Sequence, residues 1–213
     1  MHFEDRSDAA RQLAQALRAY RGKGALVLAI PRGAVPMGRI VAEELAAELD
    51  VVLVHKLGAP MNEEFAVGAV DETGWTYIPD YARELGFDER KLERVRRQQM
   101  EVMRQRRARY TPEREPVDPK GRTCIIVDDG LATGSTMVAA IHSVRARGAA
   151  KIVCAVPVAA PDSLASVRKL ADEVVCLHAP WEFHAVGQFY HRFDQVSDEE
   201  VLACLSTAGS SHP

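Results

Sequence analysis

Residues 124–136 read Cys-Ile-Ile-Val-Asp-Asp-Gly-Leu-Ala-Thr-Gly-Ser-Thr. An apolar run leads straight into two adjacent carboxylates, Asp128 and Asp129, and then into a loop of small and hydroxyl residues. Carboxylates at the carboxyl end of a buried strand sit where open α/β sheets bind their ligands. The Thr-Gly-Ser-Thr turn at 133–136 precedes an amphipathic stretch, and a helix N-terminus offers a phosphate free N–H donors and a favourable dipole. One short segment thus carries groups for hydroxyls or a metal complex beside groups for a phosphate. A phosphorylated sugar is the simplest ligand that uses both.

Hydrophobic periodicity marks the elements that must hold this loop. Asp8 to Tyr20 has a helical apolar face of Leu13, Ala16, Leu17 and Tyr20, and Gly22 and Gly24 end it. Ala25 to Ile30 is a continuous apolar run, as expected of a strand covered on both sides. A helix is expected from about Pro36 to Glu48, and a second buried strand from Val51 to His55. Residues 66–78 suggest a hairpin turning near Glu72 to Gly74. A long, highly charged helix follows over 88–110, stopped by Pro112, Pro116 and Pro119. Beyond the motif strand, Thr123 to Val127, come a helix to about Arg147 with Gly148 as its stop and a strand over 151–156. A helix over 162–170 and a strand over 173–177 follow. Ser197 and Glu200 have the spacing of a capping box for a last helix.

The order is β-α-β, an insertion at 57–120, then β-α-β-α-β. Alternation of this kind predicts an α/β fold, a parallel sheet with flanking helices. One domain over 1–205 is expected, including the insertion and a C-terminal segment at 178–205, with a frayed tail at 206–213.

Composition narrows the classes of function. The 213 residues are 47% hydrophobic and 27% charged, with a formal net charge of -3. That charge gives no global attraction for nucleic acid or a membrane surface. No apolar run approaches the roughly 20 residues that span a bilayer. The first residues, Met-His-Phe-Glu-Asp-Arg, lack the apolar core of a signal peptide, so a cytoplasmic location is expected. Cys124, Cys154, Cys176 and Cys204 form no CxxC pair, and buried free thiols are expected.

The acid pair has two other familiar contexts, and neither fits. A Walker B strand needs a GxxxxGK[ST] phosphate loop, which is absent. A receiver domain would carry its acids after the first strand of a much shorter chain. The run of two apolar residues, Asp128, Asp129, three spacers, then Thr133, Gly134, one spacer and Thr136 resembles the 5-phosphoribosyl-1-pyrophosphate (PRPP) signature of the type I phosphoribosyltransferases. In topology the resemblance covers about residues 5–180, and motif identity is confined to the loops.

The resemblance implies a set of roles. Asp128 and Asp129 would hold the ribose hydroxyls, directly or through water on Mg2+. Gly130, Leu131, Ala132, Thr133, Gly134, Ser135 and Thr136 would cradle the 5-phosphate. In such enzymes a loop after the first strand wraps the pyrophosphate. Here that loop is Pro31-Arg32-Gly33-Ala34, in which Gly33 allows close approach and Arg32 offers a fork of donors. A basic residue after the second strand faces the leaving group, and Lys56 fits. The arginine usual just before it is His55 here. The catalytic set implied is therefore Asp128, Asp129, Lys56 and Arg32. A mobile loop after Lys56 would close over the centre, in a region holding Asn62, Glu63, Glu64, Asp71 and Glu72. The partners implied are PRPP and a nitrogenous acceptor that no motif identifies. A homodimer is expected because this fold usually associates.

Two segments keep alternatives open. The helix at 88–110 is rich in arginine, but Glu89, Glu93 and Glu101 are interspersed. A solvated face or a subunit contact is the better reading, and nucleic acid is not expected. RNA binding by a non-catalytic PRPP sensor is the alternative. Residues 178–194 gather Trp181, Phe183, Phe189, Tyr190 and Phe193 with His178, His184 and His191. They would either stack on an acceptor base or pack against the edge of the domain.

Overall fold

The computed structural model describes residues 2–59, 62–78, 89–112 and 115–206, without the side chains of 56, 58–59, 62–67 and 89–92. Helix α1 (Arg6–Ala16) is capped by Asp5, whose carboxylate accepts the N–H of Asp8, and a short 3-10 turn over Arg18–Tyr20 extends it. Strand β1 (Leu26–Ala29), helix α2 (Val35–Leu45) and strand β2 (Glu48–Val51) form the first βαβ unit. The insertion contributes β3 (Val54–Ala59), β4 (Asn62–Asp71), β5 (Thr76–Tyr77) and the long helix α3 (Glu89–Tyr110). Then follow β6 (Thr123–Val127), α4 (Ser135–Ala146), β7 (Lys151–Val158), α5 (Pro161–Arg168), β8 (Glu173–His178) and α6 (Asp198–Ser206).

The main sheet has the order β2-β1-β6-β7-β8, and every pairing in it is parallel. Alternate residues of its strands face opposite sides, as the pleat dictates. Val27, Ala29, Ile125, Val127, Val153 and Ala155 face one core, shared with α1 and α2. Leu26, Leu28, Ile126, Ile152 and Val156 face the other, packed by Met137, Ile141 and Val144 of α4 and Leu164 and Val167 of α5. This two-sided burial is why the central strands read as unbroken apolar runs. Cys124 and Cys154 belong to the second core as free thiols, and burial pushes them up to about 11 and about 12. Free Cys176 and Cys204 are half-buried.

The expected strand over 51–55 is in fact a junction. β2 leaves the parallel sheet at Val51, and β3 begins a separate antiparallel sheet of order β3-β4-β5 at Val54. Val52 and Leu53 between them stay buried, so hydrophobicity runs straight through the boundary and cannot mark it. The expected end of α2 at Glu48 is also wrong. The helix stops at Leu45 because Ala46 turns left-handed (φ 49, ψ 50), a stop usually made by glycine. The hairpin turns as expected. The Asp71 carboxylate accepts the N–H groups of Thr73 and Trp75 and the Thr73 hydroxyl.

Three contacts seat the insertion and the C-terminal segment on the sheet. His142 of α4 stacks on Tyr77 and Trp75 at 4.7 and 5.4 Å between ring centroids. Arg107 of α3 donates to Asp50 of β2, to the Val51 carbonyl and to Glu72 of the hairpin turn. Phe3 pairs in parallel with Tyr190, and its N–H donates to the Phe189 carbonyl at 2.8 Å. The Ser197 capping box forms: its hydroxyl accepts the Glu200 N–H, and its own N–H donates to the Glu200 carboxylate.

Candidate active site

β6 delivers its two acids at the carboxyl edge of the sheet's central strand. The loop after them is pinned from behind. Leu131 N–H donates to the Val158 carbonyl, Ala160 N–H to the Leu131 carbonyl, and the Ser163 hydroxyl to the Ala132 carbonyl. Gly134 caps α4 in the left-handed region (φ 74), which a side chain would resist. Thr133 and Ser135 hydroxyls lie 3.1 Å apart at the start of α4. Ala132 and Thr133 are exposed and Ser135 and Thr136 half-buried, while Gly130, Leu131 and Gly134 are buried. The hydroxyls thus sit at the surface of the helix N-terminus, and the spacer residues anchor it.

The loop after β1 meets the loop after β6. The Pro31–Arg32 peptide bond is cis. Gly33 touches Asp129 so closely that a Cβ there would lie 2.2 Å from Asp129 Oδ2. The glycine is therefore required by proximity. Gly33→Ala must displace the loop or the carboxylate and is expected to cost about 1–3 kcal/mol, as overpacking does. Denaturant unfolding measures this, and an unchanged midpoint with the loop in place would refute the packing described. Ala34 is buried and leads into α2. Arg32 Nη1 lies 3.7 Å from Oδ1 of Asp198 at the start of α6. Asp198 also accepts from Arg109 and from the Tyr110 hydroxyl, and these contacts hold its carboxyl below the usual range, Tyr110 most of all.

Lys56 lies in β3, but its side chain is outside the described residues, as are those of Asn62, Glu63 and Glu64. His55 is half-buried. Burial first, and then Arg106, hold its imidazole below the ordinary value, so it is mostly uncharged near neutral pH and does not replace the missing arginine's charge. Glu72 and Asp71 are taken up by Arg107 and by the hairpin turn. Most of the arginines on α3 are likewise engaged: Arg96 and Arg97 with Glu93, Arg104 with Glu101, Arg107 with Asp50 and Glu72, Arg109 with Asp198 and Glu199. In the 178–194 segment, Phe189 and Tyr190 are buried against the core, whereas Trp181 is 91% exposed.

One residue at the site escaped the sequence reading. Arg6, at the first position of α1, donates from Nε and Nη2 to Asp129 Oδ2 at 3.1 and 2.9 Å. Its Nη1 donates to the Asp194 carbonyl at 2.6 Å, and its guanidinium lies 3.8 Å over the Phe193 ring. The Tyr190 hydroxyl donates to the Asp129 carbonyl at 2.7 Å. Burial pushes the Asp129 carboxyl up, and Arg6 opposes that shift. The one local signal was a cation at a helix N-terminus, where the dipole disfavours it.

A family model described as the phosphoribosyl transferase domain matches residues 4–193. The chain belongs to this family. Two Mycobacterium tuberculosis proteins, assigned by name to the phosphoribosyl transferases, are 45% identical over 207 residues, or 97% of this chain. The chain spans about half the length of these curated relatives, 47%. Among solved structures, TT1426 from Thermus thermophilus aligns with a TM-score of 0.86 at 44% identity, covering 96% of this chain and 98% of that one. A shorter stretch of 59 residues, 28% of this chain and of the relative, is 46% identical to a uracil phosphoribosyltransferase of Clostridioides difficile. This phosphoribosyl transferase domain has the α/β fold expected, a parallel five-stranded sheet flanked by helices. No helix among the described residues is long and apolar enough to cross a membrane.

Proposed function

We propose that this phosphoribosyl transferase domain is catalytic, moving the 5-phosphoribosyl group of Mg2+-complexed PRPP to a nitrogen nucleophile, with pyrophosphate leaving. The observation that carries this reading is the meeting of two loops at the edge of the sheet. The signature loop of β6 and the Arg32-Gly33 loop of β1 are in van der Waals contact at Asp129. A ligand with a phosphate at one end and a pyrophosphate at the other would bridge them.

In this reading the loop 130–136 holds the 5-phosphate through its N–H groups and the hydroxyls of Thr133, Ser135 and Thr136. Asp128 and Asp129 hold the ribose hydroxyls. Arg32, with the backbone at Gly33 and Ala34, and Lys56 neutralise the pyrophosphate. The bond from C1 to the pyrophosphate oxygen breaks, and its electron pair leaves with the pyrophosphate. The acceptor's nitrogen lone pair forms the new bond at C1, and its proton is lost. The protein's part is to position and neutralise charge rather than to form covalent bonds.

The donor set suits Mg2+, which takes one or two carboxylates together with substrate phosphate oxygens. Asp128 and Asp129 supply such a pair, and no group of three or more His, Cys, Asp or Glu placed to hold a metal ion occurs among the described residues. These two acids would hold the ion through water, and when bound it would supply positive charge to the departing pyrophosphate. We further read residues 1–205 as one working unit, acting in the cytoplasm as a homodimer.

The test is pyrophosphate release from PRPP and Mg2+ with a panel of acceptors. The panel contains uracil (the base named in the shorter match), hypoxanthine, guanine, adenine, orotate and non-aromatic amines. Release with any one supports the enzyme. Tight PRPP binding without release from the whole panel points instead to a sensor, and salt-sensitive RNA binding would then assign α3.

A further inference from the structure

We propose that Arg6 is a positioning residue for the sugar-binding acids, acting through Asp129. The inference rests on the reading of the β6 loop as a PRPP site. It adds a residue from outside both motif loops, 123 positions from its partner.

The geometry is that of a built clamp. Two guanidinium nitrogens converge on one carboxylate oxygen, and both side chains are largely buried, 14% exposed for Arg6 and 19% for Asp129. Charge-assisted bonds to a fork of fixed shape define direction as well as strength. The remaining Nη1 is spent on the Asp194 carbonyl, and the Phe193 ring closes one face of the guanidinium. Arg6 therefore has no second arrangement that keeps its bonds. Asp129 is held from other sides too. Gly33 closes on Oδ2, a Cβ there would also lie 3.3 Å from Arg6 Nη2, and Tyr190 holds the Asp129 carbonyl.

The clamp has one consequence for a ribose site. It fixes the Asp129 carboxylate within the tolerance that oriented binding requires. Lysine could replace the charge but not the fork.

The experiment is a double-mutant cycle on the full chain. Wild type, Arg6→Gln, Asp129→Asn and the pair are titrated calorimetrically with PRPP in Mg2+, and thermal unfolding of each is recorded. Arg6→Gln is expected to weaken binding by about tenfold or more, the loss of a charged hydrogen-bond pair. In the Asp129→Asn background the same change should add less than about twofold, because contacting residues in one network are not additive. Arg6→Lys should recover part of the loss, and it decides the matter if Arg6→Gln does not fold. Losses that multiply in the pair, or wild-type affinity in Arg6→Gln or in Arg6→Lys, would overturn the inference. Absence of PRPP binding by the wild type would overturn the reading of the site itself, and the inference with it.

Discussion

A chain carrying Asp128→Asn together with Asp129→Asn is expected to lose Mg2+-dependent PRPP binding by at least about two orders of magnitude, the scale of removing two charged hydrogen-bond partners. Asparagine keeps the shape of each side chain and removes both negative charges. The ribose hydroxyls lose charged acceptors, and the cation loses the carboxylates proposed to hold it. The structure adds a condition. Asp129 is the partner of a largely buried arginine, so the double variant leaves Arg6 beside a neutral amide. Some loss of stability must accompany the loss of affinity. Circular dichroism and thermal unfolding, read beside isothermal titration, separate the two. Mg2+-dependent binding at wild-type strength in a folded double variant would defeat the PRPP assignment.

The second large effect lies away from the site. Arg107→Met should destabilise the fold by about 3–5 kcal/mol, the cost of removing one partner of a buried ion pair. Asp50 is 1% exposed, and its Oδ1 accepts from both Arg107 and the Val51 N–H. Its Oδ2 accepts the Val117 N–H. Removing Arg107 leaves the buried Asp50 carboxylate with neutral N–H donors from Val51 and Val117 in place of the guanidinium, and it releases Glu72 from the same group. A domain of this size should lose on the order of 10 °C in its thermal midpoint. Replacing Asp50 by asparagine in the same chain should recover part of the loss, because the buried charge that lost its guanidinium is then gone. A midpoint within a degree or two of wild type would show that α3 is held without the Arg107 contacts, by its buried Met103 and Tyr110 and its bonds to Asp198.

What the sequence revealed followed the range over which each signal acts. The β6 strand, its loop and the family they point to were legible, since the acids, glycine and hydroxyls are contiguous and a motif of that kind depends on spacing along the chain. The parallel sheet was legible because strands buried on both faces leave continuous apolar runs. The break between β2 and β3 was not, because Val52 and Leu53 are buried on either side of it and carry no polar mark. The end of α2 was missed because alanine occupies a left-handed position. The helix over 88–110 read as a solvated face or a subunit contact. Arg96, Arg97 and Arg104 do pair with Glu93 and Glu101 on the same helix. The partners of Arg107 and Arg109, however, come from β2, the hairpin turn and α6, which no local pattern connects. Arg6 was hidden for the same reason. Its partner lies in the loop after β6, 123 positions away, and its neighbours Asp5 and Asp8 describe an ordinary helix start.

The pairing of Phe3 with Tyr190 also bears on the order in which the protein is made. Synthesis runs at roughly 5–20 residues per second, so roughly 10–40 s separate the appearance of Arg6 from that of Asp194. During that interval Phe3, just ahead of α1, lacks its strand-like partner at 189–191, and Arg6 lacks the carbonyl that holds its guanidinium. Asp129 emerges in the meantime, so the acid pair exists before its clamp is complete. A ribosome stalled short of residue 190 would therefore carry the whole signature loop without a finished site.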